Sequence, residues 1–155
     1  MARRAEGLGA SGTEQMDFFS GNSEHTLDTK GRVIVPAKHR ARFADGGFLA
    51  RESNRSLALL TRATYEKKAS EWLARYETGD EEGMQYWASG VEEVAIDGAT
   101  GRLLIPPYMR RYAHLDVGQP VLLAGALTHI AIWNPTLFDE RITSVAEPGF
   151  TRDKK

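Results

Sequence analysis

The chain has no cysteine among its 155 residues. Disulfides, thiolate metal sites and cysteine nucleophiles are therefore excluded, which fits a reducing compartment. It also lacks any run near the ~20 consecutive apolar residues that a membrane-spanning helix needs. The first stretch, MARRAEGLGASGTEQ, carries arginines but no apolar core, so it is not expected to act as a secretory signal. Net charge is small, at −1. The overall basic balance that marks many nucleic-acid binders is thus missing. Catalytic signatures are scarce as well. His25, His39, His114 and His129 are scattered, with no HExxH spacing for a metal. No GxSxG, P-loop or GxGxxG stands between a strand and a helix. The chain is therefore expected to have no catalytic centre, no metal and no cofactor.

What is present is an ordinary globular composition, 41% hydrophobic and 26% charged. That suits one domain, or two small ones sharing a core. The small net charge hides two opposed segments. From Asp28 to Arg42 there are five bases, Lys30, Arg32, Lys38, Arg40 and Arg42, against one acid. From Thr64 to Glu93 there are eight acids against three bases. Either run by itself reads most simply as a solvated face.

The chain also repeats itself. Residues 31–40 read GRVIVPAKHR and residues 101–110 read GRLLIPPYMR. Gly31, Arg32, Pro36 and Arg40 recur as Gly101, Arg102, Pro106 and Arg110, all at an offset of 70. Between them Val33-Ile34-Val35 matches Leu103-Leu104-Ile105. Further on, Phe48-Leu49-Ala50 resembles Leu122-Leu123-Ala124, and Leu57–Leu60 resembles Ile130–Trp133. These short apolar runs bounded by turn residues read as strands. Each copy is expected to run strand, turn, strand, short basic helix, strand, strand, helix. Asn134 and Pro135 suit an N-cap and first helical position; Thr61 or Thr64 would cap the helix of the first copy. That helix carries Tyr65, Ala69, Trp72, Leu73 and Tyr76 at helical period, and a second helix is expected over Glu81–Ala88. Trp72, Tyr76 and Trp87 read as core or subunit interface.

One turn concentrates the chemistry. In Leu27-Asp28-Thr29-Lys30-Gly31-Arg32, aspartate suits the first position of a type I turn and glycine the bulged fourth. The result is a tight hairpin tip with Lys30 on it and Arg32 directly after. A guanidinium bonds both major-groove acceptors of guanine, and lysine meets phosphate as a point charge. Alternatively, Asp28 and Arg32 only form an ion pair that holds the turn. The two roles are compatible, because the carboxylate can orient the guanidinium. The second hairpin, Asp97-Gly98-Ala99-Thr100-Gly101-Arg102, is one residue longer, which redirects Arg102 relative to Asp97.

LDTKGRVIVPAKHR, IDGATGRLLIPPYMRRYAHL and IAIWNPTLFDER together resemble the MraZ family, itself similar to a tandem duplication of the AbrB/SpoVT-type swapped-hairpin unit. The resemblance runs from about Met16 to Arg141. It implies a β-rich α+β fold of two pseudo-symmetric units forming a barrel-like core, with helices in the linker and at the C-terminus. The expected division is an extension at 1–15, a first unit at 16–63, a helical linker at 64–90, a second unit at 91–143 and a flexible tail at 144–155. MDFFSG at Met16 resembles the usual family start, which is why the first residues are read as an extension.

The resemblance further implies a cytoplasmic, nucleoid-associated transcription regulator with no membrane partner. Such proteins bind double-stranded DNA upstream of the division and cell-wall gene cluster and assemble as ring-shaped homo-oligomers. Arg32 becomes the leading base contact, with Lys30, Lys38, Arg40 and Arg42 on phosphates and Arg102 in the second signature. Asp28, Gly31, Asp97 and Gly101 shape the two turns. Two rivals remain: an antitoxin-like repressor on the same fold that binds a protein partner, and a purely structural ring protein.

Overall fold

The computed structural model of the chain describes residues 18–144. The extension expected at 1–15, and all of the expected tail except Ser144, lie outside the described residues. The element order follows the repeat. The first copy holds β1 (Asn22–Thr26), β2 (Arg32–Ile34), α1 (Ala37–Arg40) with a 3-10 turn at Ala41–Phe43, β3 (Gly47–Arg51), β4 (Leu57–Leu60) and α2 (Arg62–Glu77). A second helix, α3 (Glu81–Ser89), completes the linker. The second copy holds β5 (Val91–Val94), β6 (Arg102–Leu104), α4 (Pro107–Ala113), β7 (Pro120–Gly125), β8 (Ile130–Trp133) and α5 (Pro135–Phe138), which continues as a π-helical turn over Asp139–Thr143.

Local chemistry explains where the helices start. Thr61, and not Thr64, is the N-cap of α2: its side chain accepts from the Thr64 N–H. The linker helix therefore begins two residues before the expected boundary. Asp80 caps α3 by accepting from the Gly83 N–H. The Asn134 carboxamide oxygen accepts from Thr136 and Leu137, with Pro135 first in α5. Each cap occupies a backbone donor that a helix start leaves without an internal partner.

Six strands form one antiparallel sheet in the order β1-β7-β8-β4-β3-β5, and β2 pairs with β6 as a separate two-stranded ladder. Exchanging the two copies reverses that order into itself, so the body has a pseudo-two-fold axis. The axis passes where equivalent residues face each other: Ala58 opposite Ala131 in the sheet, Val33 opposite Leu103 in the ladder. The first strand of each copy is swapped. β1 pairs with β7 of the second copy, and β5 pairs with β3 of the first. The expected barrel-like body is realised as an open sheet, with β1 and β5 at its edges. The physical reason is that β2 and β6, three residues each, form their own ladder, joined near the end of β5 by an isolated bridge between Ile96 and Leu103.

The main core lies between the sheet and the ladder. Phe19, Leu27, Val33, Val35, Phe43 and Leu49 meet Leu103, Ile105, Met109, Val121 and Ile132 there. The other face of the sheet is covered in two halves. Over the first copy, Tyr65 of α2 stacks on Phe48 at 4.0 Å, and Trp87 of α3 bridges Tyr65 and Trp72 at 5.9 and 6.3 Å. Over the second, Phe138 packs edge-on to Trp133 at 5.6 Å. Trp72 and Trp87 thus belong to the intramolecular packing of the helical pair, whereas Tyr76 stays 46% exposed.

Leu103 sits on the axis with no exposure. Leu103→Ala removes a side chain that both copies pack on, so it is expected to lower unfolding stability by ~2–5 kcal/mol. Chemical denaturation of the full chain measures this; a loss under ~1 kcal/mol would show that the ladder is not essential to the core.

Candidate nucleic-acid interface

The first hairpin has the geometry that its residue types dictate. The Gly31 N–H donates to the Asp28 carbonyl at 2.9 Å, and the Asp28 N–H donates to the Arg32 carbonyl at 2.9 Å. Gly31 stands at φ +82, the left-handed conformation of a bulged three-residue turn. The Asp28 carboxylate organises the tip. Oδ1 accepts from the Lys30 and Arg32 backbone N–H groups at 2.9 and 2.8 Å. Oδ2 accepts from Arg32 Nε at 2.9 Å. The Arg32 backbone bond is the leading cause that holds the Asp28 carboxyl below its ordinary pKa, with the Arg32 side chain and the Lys30 N–H adding to it.

That clamp leaves the chemically useful edge of Arg32 open. Only Nε is engaged, so the two terminal amino groups have no partner among the described residues. They form the edge of a guanidinium that matches paired acceptors. Lys30 is exposed at the tip. The ion pair and the presentation of the arginine are therefore one arrangement.

The second hairpin closes in the same way but holds its arginine differently. Gly101, at φ +77, donates to the Asp97 carbonyl at 2.7 Å. The Asp97 carboxylate accepts from Ala99 and Thr100, and those bonds lower its pKa, Thr100 most. The Arg102 N–H turns to the Thr100 hydroxyl at 3.3 Å. The extra residue has put Thr100 between carboxylate and arginine. Arg102 is exposed, and its guanidinium has no hydrogen-bond partner among the described residues.

The two hairpins are locked together by a reciprocal contact. The Ile105 N–H donates to the Gly31 carbonyl at 2.9 Å, and the Val35 N–H donates to the Gly101 carbonyl at 2.8 Å. Arg110 lies against Gly31, and Arg40 against Gly101; a Cβ on either glycine would come within 2.8 or 2.4 Å of the guanidinium. Arg40 Nε donates to the Val35 carbonyl at 2.9 Å and its Nη1 to Ala99 at 3.2 Å. Arg110 Nε makes the matching bond to Ile105 at 3.1 Å. Arg40, expected on phosphates, has its Nε and Nη1 bonded to the Val35 and Ala99 carbonyls. Arg110, which sequence reasoning passed over, has the same internal role. Its position in the repeat, opposite Arg40, was the available signal.

The remaining expected cations sit on and after α1. Lys38 is exposed. Arg42 is half-buried with its guanidinium 3.7 Å above the Phe19 ring, and His39 meets the same ring edge-on at 5.1 Å. Burial, then the charges of Lys38 and Arg42, hold the His39 imidazole below its ordinary pKa. Among the described residues, no cluster of His, Cys, Asp or Glu could hold a metal ion. The candidate site is a set of cations on two hairpins, a short helix and the 3-10 turn after it.

Comparison with known proteins follows the same lines. The family model described as "MraZ protein, putative antitoxin-like" matches residues 18–85 and again residues 88–155. Similar proteins named Transcriptional regulator MraZ include one from Syntrophobacter fumaroxidans, 37% identical over 81% of this chain and 85% of its own length. Another, from Roseiflexus castenholzii, is 34% identical over 76% and 82%. A third, from Cutibacterium acnes, is 32% identical over 86% and 92%.

The internal role of Arg40 separates it from Lys38. Arg40→Ala removes two hydrogen bonds, a local one to Val35 and one to Ala99 in the other hairpin, and is expected to cost ~1–3 kcal/mol of stability, whereas Lys38→Ala should be neutral within ~0.5 kcal/mol. Equal, negligible losses in thermal unfolding would contradict the clamp. Acid sensitivity has a defined sign as well. A carboxylate whose pKa is depressed by folding stabilises above its ordinary range and loses that contribution as pH falls through the folded value. Asp28→Asn should therefore reduce stability at neutral pH and flatten its decline below the ordinary carboxylate value of 3.8. Parallel pH profiles for variant and parent would contradict this.

Proposed function

From the premise that the chain belongs to the MraZ family, we propose that it is a DNA-binding transcription regulator that contacts promoter repeats through its arginine-bearing hairpins. The observation that carries this reading is the Asp28–Arg32 clamp. It fixes a guanidinium at a hairpin tip and leaves its two terminal amino groups open. A planar donor pair held in this way suits the O6 and N7 acceptors of guanine in the major groove. The relatives' name, Transcriptional regulator MraZ, points the same way.

In this reading contacts divide by chemistry. Arg32 reads a base. Lys30, Lys38 and Arg42 set the register on phosphates, which carry no sequence information themselves. Arg102 adds a second, differently aimed cation. Arg40 joins the phosphate contacts while its Nε and Nη1 hold the hairpins in position. The acids of α3 and β5, Glu81, Glu82, Glu92 and Glu93, are unsuited to phosphate contact by charge.

The proposal includes assembly. Several copies arranged in a ring would present their hairpins to regularly spaced repeats, and linked contacts raise the effective concentration of the next. Leu73 and Tyr76 on α2 and Tyr86 on α3 are 58, 46 and 55% exposed, which supports a protein-facing surface on the helical pair. The proposed setting is the cytoplasm, on the nucleoid, with targets upstream of the division and cell-wall gene cluster, its own gene included.

Fluorescence anisotropy on the duplex upstream of its own gene, against a shuffled duplex, tests the reading at two salt concentrations. Preference for the native duplex that weakens with salt is expected. Arg32→Ala should cost ~1–3 kcal/mol of that preference, and Lys38→Ala should weaken both duplexes alike and reduce the salt slope by ~1. Equal binding of the two duplexes by the parent protein would remove the regulator reading and favour a protein-binding or structural ring.

A further inference from the structure

The β2/β6 ladder has an outer face that its arginines do not fully explain. Side chains alternate across a strand. Val33 and Leu103 point inward and are fully buried. Arg32, Ile34, Arg102 and Leu104 therefore share the outer face. Ile34 is 45% exposed and Leu104 is 53% exposed. The register sets Arg32 opposite Leu104 and Ile34 opposite Arg102. The face is a small square with an arginine at each end of one diagonal and an aliphatic at each end of the other.

Isolated exposed aliphatics on a surface need no explanation. These two are not isolated. They are equivalent positions of the two copies, at the repeat offset, and each stands directly across the ladder from an arginine. Neither belongs to any of the buried clusters. A partner for this face must offer acceptors to two guanidiniums and small apolar groups between them. The major groove offers both, as guanine O6 and N7 and the thymine C5-methyl, and it admits a two-stranded ribbon. Neighbours on the ladder stand ~5–7 Å apart, the span of one to two base-pair steps of ~3.4 Å. The charge of the face is complementary to DNA, with Lys30 and Arg32 on one hairpin and Arg102 on the other.

We propose that Ile34 and Leu104 are specificity-determining residues that pack on thymine methyl groups while the arginines diagonal to one another bond to guanines. The β2/β6 ladder is then a reading ribbon, and its preferred sites place thymine beside guanine. This rests on the reading of the protein as a DNA-binding regulator and adds a second kind of base contact to it.

The test uses two duplexes, the shuffled duplex as a third for reference, and the full chain. One duplex is the segment upstream of its own gene; the other is the same segment with every thymine replaced by deoxyuridine, which keeps the pairing and lacks the methyl. The parent protein is expected to bind the deoxyuridine duplex roughly fourfold more weakly for each thymine methyl taken from under Ile34 or Leu104, from the value of one buried methylene. The double variant Ile34→Ser/Leu104→Ser should bind the thymine duplex more weakly than the parent and should not distinguish the two duplexes. Its mass in light scattering should equal the parent's. Equal binding of both duplexes by the parent, with an Arg32-dependent preference over shuffled DNA retained, overturns the methyl contacts and leaves the regulator reading in place. A variant that discriminates as well as the parent overturns them too. A fall in mass assigns the two aliphatics to a contact between subunits and also overturns the proposal. Absence of any preference for the native over the shuffled duplex removes the regulator reading and this proposal together.

Discussion

Everything at the interface depends on the reciprocal seat of each arginine on the other copy's glycine. Arg110 lies on Gly31 and Arg40 on Gly101, and each guanidinium bonds the carbonyl at the end of its own apolar run. Only a residue without a Cβ admits the guanidinium so closely. The same two glycines adopt positive φ, so one residue type satisfies the turn and the contact at once. With the seats filled, the two hairpins become one rigid unit and the ladder register follows. The seats add to the Val35–Gly101 and Ile105–Gly31 backbone bonds and to the β2/β6 ladder, which together set the spacing between Arg32 and Arg102.

Electrostatics adds a second level of organisation. Cations collect on the hairpins and α1, while α3 and β5 carry only acids, Glu81, Glu82, Glu92 and Glu93. Opposed faces of this kind explain how a chain of net charge −1 can present a basic surface to one partner. The aromatic stack of Phe48, Tyr65, Trp87 and Trp72 fixes the helical pair, with the acids of α3, to the sheet.

Much of this was legible in the sequence, for local reasons. The offset of 70 between GRVIVP and GRLLIP gave the repeat and its strands. Asp28 and Gly31 gave the first turn, because both turn preferences act within a few residues. Asn134 and Pro135 gave a helix start on the same grounds. Long-range pairing was not legible. Nothing local in Asn22–Thr26 says that it pairs with the second copy's β7 and not with its own. Arg40 looked like one more surface cation because one of its partners, Ala99, lies 59 residues away in the second hairpin. Likewise the extra residue in the second hairpin announced a difference, but not that Thr100 would take the place of the aspartate.

The swapped strands carry a consequence for how the molecule can be oriented. A true dimer of one such unit has identical halves and reads the same in either direction. Here the halves are joined in one chain, and their hairpins have drifted apart: one arginine is gripped by a carboxylate, the other stands beside a hydroxyl. A body with a broken two-fold has a front and a back. On the proposed DNA-binding reading it would point along the duplex, so a row of such bodies would be a row of arrows and its sites direct repeats in place of palindromes.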